Sequence, residues 1–130
     1  MIVPDASVIV ELLLNTPLAP RVRARLSVAG ESLHVPHLLD LEVTQALRRY
    51  SLTGDLTARR SAEAFDDFAA LPLFRYPHGP FLPRIWALRR NISAYDAAYV
   101  VLAESLGADL ITHDARLASA IGHRAAIELL

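Results

Sequence analysis

The sequence predicts an α/β fold in which a short, mainly parallel sheet carries helices on both faces. Short apolar runs bounded by proline, glycine or polar residues alternate with longer segments whose apolar residues recur at helical spacing. Strands connected through helices pair in parallel, because a parallel connection needs a crossover of a dozen or more residues. The chain has 130 residues, of which 53% are hydrophobic, and it contains no repeat or long linker. We therefore expect one domain over residues 1–130.

The first half of the chain is expected to contain two strands and four helices. The strands are the apolar runs at 2–4 and 33–35. The first three helices are expected at 7–13, 17–29 and 36–50, the second ending at a glycine and the third opening at Pro36. A glycine at position 54 then breaks the pattern, and Ala62, Phe65 and Ala69 mark the buried stripe of the fourth helix.

The second half is expected to contain three strands and three helices. The strands are expected at 73–76, 109–112 and, as an edge strand, 126–129. A helix over 80–90 carries Leu82, Ile85 and Trp86 at helical spacing, and a short helix covers about 115–121. The most apolar helix begins at Ser93 and stops at Gly107.

Composition excludes several classes of protein. Cysteine is absent, so neither a disulfide framework nor a thiolate metal site is possible. No uninterrupted apolar run approaches the ~18 residues of a membrane helix, and a cytoplasmic protein without membrane contact is expected. The net charge of −1 provides no general attraction for nucleic acid. All 13 basic residues are arginines, and the adjacent pairs Arg48–Arg49 and Arg89–Arg90 are candidates for binding phosphate.

Four acidic residues stand beside strongly apolar runs: Asp5, Glu42, Asp96 and Asp114. Asp5 and Asp114 follow predicted strands, Asp96 lies in the first turn of its helix, and Glu42 projects from a largely apolar helix face. In open parallel sheets, sites form beyond the carboxyl ends of the strands. Carboxylates gathered there bind a hard divalent cation. This pattern points to metal-dependent chemistry on phosphate.

Helix capping is the alternative role for three of these acids. Asp5 and Asp114 precede helices and suit N-caps, and Asp96 follows Ser93 by three residues, as in a capping box. Glu42 is interior to its helix and cannot cap it, and a lone ionised glutamate is rarely buried. A cluster accounts for all four residues, whereas capping leaves Glu42 unexplained.

The chain resembles the PIN-domain ribonucleases, and specifically the VapC-type toxins of toxin–antitoxin pairs. Four segments carry the resemblance: 1–8 (MIVPDASV), 36–49, 92–99 (ISAYDAAY) and 110–114 (LITHD). Their order and spacing agree with the family over essentially the whole chain, and the SAYDAAY stretch is the most specific of them. Pro4 is less usual at its position, where the family commonly has an aliphatic residue.

The resemblance implies a PIN-like three-layer α/β/α fold with a short, mainly parallel central sheet. It also implies an Mg²⁺- or Mn²⁺-dependent ribonuclease toxin of a type II toxin–antitoxin system, which hydrolyses RNA phosphodiester bonds. Asp5, Glu42, Asp96 and Asp114 take the catalytic positions. Asp5 and Asp96 are the expected direct metal ligands, Asp114 is expected to bind the metal directly or through water, and Glu42 is expected to position the attacking water.

The implied partners are RNA, a VapB-type antitoxin and a second copy of the chain. Homodimers are expected, with a heterotetramer or larger assembly when the antitoxin binds, and the apolar excess around Trp86 favours such association. The alternative function is a catalytically silent PIN-fold binding module that acts as a scaffold for protein partners. A missing acid would indicate that alternative, and none of the four is missing.

Other residues have smaller expected roles. Ser7 and Thr112 are expected to support the site by hydrogen bonding, and Arg48, Arg49, Arg89 and Arg90 to contact RNA. Tyr95 and Tyr99 are interpreted as packing residues, and a role for His113 as a general base is left open. A phospho-receiver domain is disfavoured because the chain lacks lysine, and a haloacid-dehalogenase-type phosphatase because Ser7 stands where a second aspartate is needed.

Overall fold

The computed structural model describes residues 1–130 and contains one sheet of five strands. The strands are β1 (Ile2–Pro4), β2 (Leu33–Pro36), β3 (Leu73–Tyr76), β4 (Asp109–Thr112) and β5 (Ile127–Leu129). They are all parallel and lie in the order β3-β2-β1-β4-β5. All five predicted strands are present, and β5 is an edge strand as expected. The α/β class and the parallel sheet predicted from the sequence are confirmed.

Seven α-helices and one 3₁₀ turn connect the strands. The helices are α1 (Ala6–Leu14), α2 (Ala19–Leu26), α3 (Leu38–Thr53), α4 (Ala58–Ala70), α5 (Leu82–Ala87), α6 (Ala94–Leu106) and α7 (Ala115–Ala118). The 3₁₀ turn covers Gly79–Phe81. None of these helices has both the length and the apolar character that crossing a membrane requires.

Several helix boundaries differ from the prediction. Pro36 does not open α3 but is the last residue of β2, in register with Tyr76 of β3. The helix starts at Leu38, whose N–H donates to Nε2 of His78 (3.1 Å), so a distant imidazole replaces the local cap. The helix predicted over 80–90 splits into the 3₁₀ turn and α5, and α2 and α7 are shorter than expected.

The buried stripe predicted for α4 is wrong. Ala64 and Phe68 are buried, whereas Ala62 and Ala69 are exposed and Phe65 is 48% exposed. Both sets of residues recur at helical spacing, so periodicity alone does not separate them. Packing of α4 against α1 and α3 selects the row that contains Phe68.

Two apolar clusters cover the sheet. The larger contains 22 buried residues and joins β1, β2 and β4 to α1, α3, α4, α5 and α6. The smaller contains six residues and joins the sheet to α1 and α2 through Val8 and Val22. Residues 97–103 of α6 are buried without interruption, which is why this helix shows little polar face in the sequence.

Strand β1 lies at the centre of the sheet, where the strand order reverses. The chain adds β2 and β3 on one side of β1, and later β4 and β5 on its other side. Helices α1, α3 and α7 follow the carboxyl ends of β1, β2 and β4. A crevice forms at such a switch point, beyond the carboxyl ends of the strands. The predicted acidic residues lie at this edge.

Candidate active site

Asp5 lies where β1 turns into α1. Its Oδ1 accepts hydrogen bonds from the Ser7 hydroxyl (2.5 Å) and the Val8 N–H (3.1 Å), and its Oδ2 accepts one from the Thr112 hydroxyl (2.5 Å). The residue is only 6% exposed. Burial raises the pKa of the Asp5 carboxyl, although the hydrogen bonds oppose the rise. Asp5 therefore caps α1 and is also a desolvated carboxyl group.

Ser7 and Thr112 connect the loops that follow β1 and β4. The Thr112 hydroxyl donates to Asp5 and accepts from the Asp114 N–H (2.9 Å). The Ser7 hydroxyl donates to Asp5 and accepts from the His113 N–H (2.9 Å). Each hydroxyl thus uses its donor and its acceptor, which fixes the second loop relative to the Asp5 carboxyl.

Glu42 lies on α3 and is held by a residue of α6. Its Oε2 accepts a hydrogen bond from the hydroxyl of Tyr99 at 2.5 Å. Burial raises the pKa of Glu42, and the negative charges of Asp96 and Asp5 add to the rise, whereas the Tyr99 hydrogen bond opposes it. Burial raises the pKa of the Tyr99 hydroxyl, and the Glu42 carboxylate and then Asp5 and Asp96 add to the rise, so Tyr99 stays a donor at physiological pH.

Asp96 lies in the first turn of α6 and exchanges hydrogen bonds with the residue that caps the helix. The Ser93 hydroxyl donates to Asp96 Oδ2 (2.9 Å), and the Asp96 N–H donates to Ser93 Oγ (3.1 Å). The carboxylate thereby sits at the positive end of the α6 dipole. Capping and membership of an acidic cluster are therefore compatible for this residue, as they are for Asp5.

Asp114 caps α7 and pairs with an arginine that the sequence reasoning missed. Its Oδ1 accepts from the Arg116 N–H (2.8 Å), and its Oδ2 lies 3.6 Å from the Arg116 guanidinium. The hydrogen bond from the Arg116 backbone N–H lowers the pKa of Asp114. His113, beside it, donates from Nδ1 to the carbonyl oxygen of Leu130 (2.8 Å).

The four acids come together at one edge of the sheet. Glu42 is close enough to Asp5 and Asp96 for their charges to raise its pKa, and Asp5 connects to Asp114 through Thr112. Asp96 and Asp114 also line one cleft of about 400 Å³ with Ser93, Arg116 and other residues, called here the Asp114 cleft. Two like charges, those of Asp5 and Asp96, act on Glu42, and no arginine pairs with any of these three carboxyls, so negative charge gathers at this edge.

The donor set is suited to a hard divalent cation, because it consists of carboxylates and hydroxyls. As the side chains stand, no three acidic or imidazole groups lie close enough together to hold one ion. Magnesium usually keeps several waters and is held by one or two carboxylates together with substrate phosphates. The arrangement therefore fits a largely hydrated ion more closely than a dry cage of three carboxylates.

The four predicted RNA-contacting arginines are exposed, and none pairs with a carboxylate. Arg49 lines a cleft of about 580 Å³ together with Ser7, Glu42, Tyr50 and Tyr95, called here the Glu42 cleft. Arg89 lies against the indole of Trp86. Arg48, Arg49, Arg89 and Arg90 thus have no carboxylate partner within the chain, and of the four only Arg49 shares a cleft with one of the predicted acids.

The interpretation of the two tyrosines needs correction. Tyr95 is 65% exposed and lines the Glu42 cleft, so it is not a packing residue. Tyr99 is packed, with 2% exposure, but it also hydrogen-bonds Glu42. The i, i+4 spacing of these tyrosines on an otherwise apolar helix gave no sign of which one faces the core. The contact between Arg116 and Asp114 could have been predicted from the sequence, since Arg116 follows an N-cap aspartate by two residues.

Comparison with known proteins agrees with this architecture. A family model described as PIN domain matches residues 2–122. Ribonuclease VapC12 of Mycobacterium tuberculosis is 43% identical over 130 residues, which cover 100% of this chain and 99% of that protein. Ribonuclease VapC9 of the same species is 44% identical over 117 residues, 90% and 88% of the two chains. A solved structure with a similar fold is that of VapBC2 from Rickettsia felis, bound to a DNA fragment from the promoter. It superposes with a TM-score of 0.71 at 12% identity and covers 99% of this chain and 98% of that chain. This last likeness concerns the fold alone.

Proposed function

The chain belongs to the PIN-domain family and, within it, to the VapC ribonucleases, and from that premise we propose that it is an endoribonuclease toxin. It hydrolyses RNA phosphodiester bonds at the edge where its four acids meet. The observation that carries the proposal is the half-buried Glu42 carboxyl beside an open cleft, whose pKa is raised by burial and, to a smaller extent, by the charges of Asp96 and Asp5. Perturbed carboxyls in a cleft are characteristic of catalytic sites.

Magnesium or manganese is the proposed cofactor. Asp5 and Asp96 are the proposed direct ligands, and Asp114 binds directly or through a water. When bound, the ion supplies Lewis-acid activation of a water and offsets charge on the phosphate. Ser7 and Thr112 hold the Asp5 carboxyl in a fixed orientation, which preserves the geometry of the site.

Glu42 orients the attacking water and accepts its proton. A raised pKa makes this carboxyl a more effective base near neutral pH than an ordinary glutamate. Tyr99 keeps the Glu42 carboxylate in place through its hydroxyl. The water oxygen forms a bond to phosphorus while the bond from phosphorus to the ribose 3′ oxygen breaks. The products therefore carry 5′-phosphate and 3′-hydroxyl ends.

The exposed arginines are proposed to bind the RNA backbone. Arg48, Arg49, Arg89 and Arg90 have no carboxylate partner within the chain, so their charges are available for phosphate. Their positive charge compensates for the repulsion between the RNA and the acidic edge. The affinity that these arginines contribute to RNA binding is expected to fall as the salt concentration increases, because phosphate contacts release counterions.

A VapB-type antitoxin is the proposed protein partner, with homodimers of the chain assembling into heterotetramers or larger complexes. Family membership supports this proposal, and the R. felis neighbour of the same fold is itself a VapBC protein. A basic antitoxin side chain entering the Glu42 cleft would neutralise the Glu42 carboxylate, and Leu38, Leu41 and Tyr95 offer apolar contact around it. Binding in this way would block cleavage.

The proposal is tested by incubating the purified protein with total RNA, with Mg²⁺ or Mn²⁺ and with EDTA, and mapping the ends of the fragments. Cleavage with 5′-phosphate ends that EDTA and Asp96→Asn both abolish supports it. Fragments with 2′,3′-cyclic phosphate ends, or full activity in EDTA, would contradict the metal-dependent mechanism. Partner binding with no cleavage under any of these conditions would indicate the scaffold function instead.

A further inference from the structure

Trp86 projects from the surface next to the acidic edge, on a helix whose other side is buried. Ile85 and Leu88 are 8% and 1% exposed and anchor α5 in the larger cluster, whereas Trp86 is 68% exposed. The Arg89 guanidinium lies 4.7 Å from the centre of the Trp86 ring, and its Nη1 donates to the Trp86 carbonyl oxygen (3.1 Å). The two planar groups form a cationic, aromatic surface, called here the Trp86–Arg89 platform.

The platform borders a cleft that adjoins the acidic edge. This cleft, of about 400 Å³, is lined by Trp86, Arg89, Ile92, Ser93 and other residues. Ile92 and Ser93 also line the Asp114 cleft, so the two clefts share a wall. Ser93 is the residue whose hydroxyl donates to the Asp96 carboxylate. An RNA strand with a phosphate at the acidic edge can therefore extend directly over the platform.

We propose that the Trp86–Arg89 platform binds an unpaired nucleobase of the RNA strand being cleaved. An aromatic ring stacks on any base, because every base has a π-face, and arginine adds a cation–π contribution. A paired base in a duplex is already stacked and presents no free face. The platform therefore selects single-stranded segments next to the cleaved phosphodiester. This inference rests on the proposed ribonuclease function and assigns it a specificity-determining subsite.

A protein surface is a less suitable occupant. Arg89 keeps a positive charge at the centre of the platform, and Arg90 lies beside it without a carboxylate partner. Arginine and tryptophan also occur at protein–protein interfaces, but two arginines without a carboxylate partner beside an aromatic ring complement a polyanion that carries planar bases. The platform also adjoins the acidic edge, where a phosphodiester is the proposed substrate.

Trp86 is the one tryptophan of the chain, so its fluorescence reports on the platform alone. The protein is prepared as Asp96→Asn to prevent cleavage and titrated with a short single-stranded oligoribonucleotide, and separately with the same sequence as a duplex. Stacking predicts saturable quenching by the single strand and little quenching by the duplex. Equal quenching by both forms would overturn base selection.

Trp86→Ala should raise the Kd for the single strand by about tenfold, within a range of about 5- to 150-fold, and leave the Kd for the duplex nearly unchanged. Trp86→Phe should recover part of the affinity, because a smaller ring still stacks. Leu52→Ala is the matched control, since Leu52 is 70% exposed and lines neither cleft. A Leu52→Ala loss as large as that of Trp86→Ala would contradict the subsite.

Sedimentation separates the base subsite from association between copies of the chain. If Trp86→Ala converts a dimer to a monomer, and Trp86 emission changes on dilution without RNA, a second copy covers the platform and the inference is wrong. RNA cleavage with neither quenching nor an affinity loss leaves the ribonuclease function standing and removes the subsite. Quenching by single strands without metal-dependent cleavage would leave the base-binding surface standing and remove the proposed ribonuclease function.

Discussion

Replacing Tyr99 by phenylalanine should destabilise the protein through one hydrogen bond. The Tyr99 side chain is almost fully buried, and its hydroxyl donates to Glu42 Oε2 at 2.5 Å. Phenylalanine removes the hydroxyl and leaves the packing of the ring intact. Hydrogen bonds to charged groups contribute about 1.5–3 kcal/mol, and because Glu42 is only half-buried we expect about 1.5–2 kcal/mol. For a domain of this size that corresponds to a fall in Tm of about 5–10 °C.

The loss of stability in the Tyr99→Phe variant should be larger at neutral pH than at acidic pH. Burial holds the pKa of Glu42 above its ordinary value, so the folded state favours the protonated carboxyl. The stability contributed by this group is present below the unfolded pKa of about 4.3 and is lost as pH rises through the folded pKa. Without the Tyr99 hydroxyl the pKa rises further and the loss is larger. The Tyr99→Phe variant should therefore be destabilised less at about pH 4, where it loses only a neutral hydrogen bond, than at about pH 7, where it loses a hydrogen bond to the carboxylate.

Thermal unfolding followed by circular dichroism at the two pH values measures this effect. Tyr95→Phe is the matched control, because Tyr95 lies one turn earlier on α6 and is exposed, and it should leave Tm unchanged. In the Glu42→Gln background the Tyr99→Phe loss should be smaller, because only a neutral hydrogen bond remains. If Tyr99→Phe lowers Tm equally at both pH values, and equally in the wild-type and Glu42→Gln proteins, the hydrogen bond to the Glu42 carboxylate does not supply this stability. In catalysis, the acidic limb of the pH–rate profile should move to higher pH in the Tyr99→Phe variant, because the pKa of Glu42 rises.

Two further predictions concern the buried aspartate and the free arginines. Asp5→Asn should abolish cleavage and raise Tm at neutral pH, because burial raises the pKa of Asp5 and its ionised form is the destabilised one. That gain should vanish once the pH falls below about 4, where wild-type Asp5 is also neutral, and a gain that persists there would contradict the charge argument. Arg49→Ala should reduce the slope of log K for RNA against log salt by about 1. Arg59→Ala, which removes an exposed arginine paired with Glu63, should change the slope less, and equal slopes for the two variants would exclude an Arg49 contact with phosphate.

The elements of the fold were largely readable from local patterns, whereas their boundaries were not. Each strand is a short apolar run between turn residues, and that signal located all five. The start of α3 depends on His78, which is 40 residues away in sequence and bonds the Leu38 N–H. The buried row of α4 was misjudged because Phe65 and Phe68 fit helical spacing equally well. Only the helices packed on α4 distinguish them.

The positions of the acids were also readable, because a carboxylate at the end of an apolar strand is a local signal. Its environment is not local. The bond between Tyr99 and Glu42 joins residues 57 apart, and the shared wall at Ser93 exists only because α5 packs beside α6. Periodicity predicts which faces are apolar, but the pKa of a carboxyl depends on how much water its neighbours remove and which dipoles they supply. Sequence therefore determined which residues meet at the edge of the sheet, and tertiary packing decided their protonation and the clefts around them.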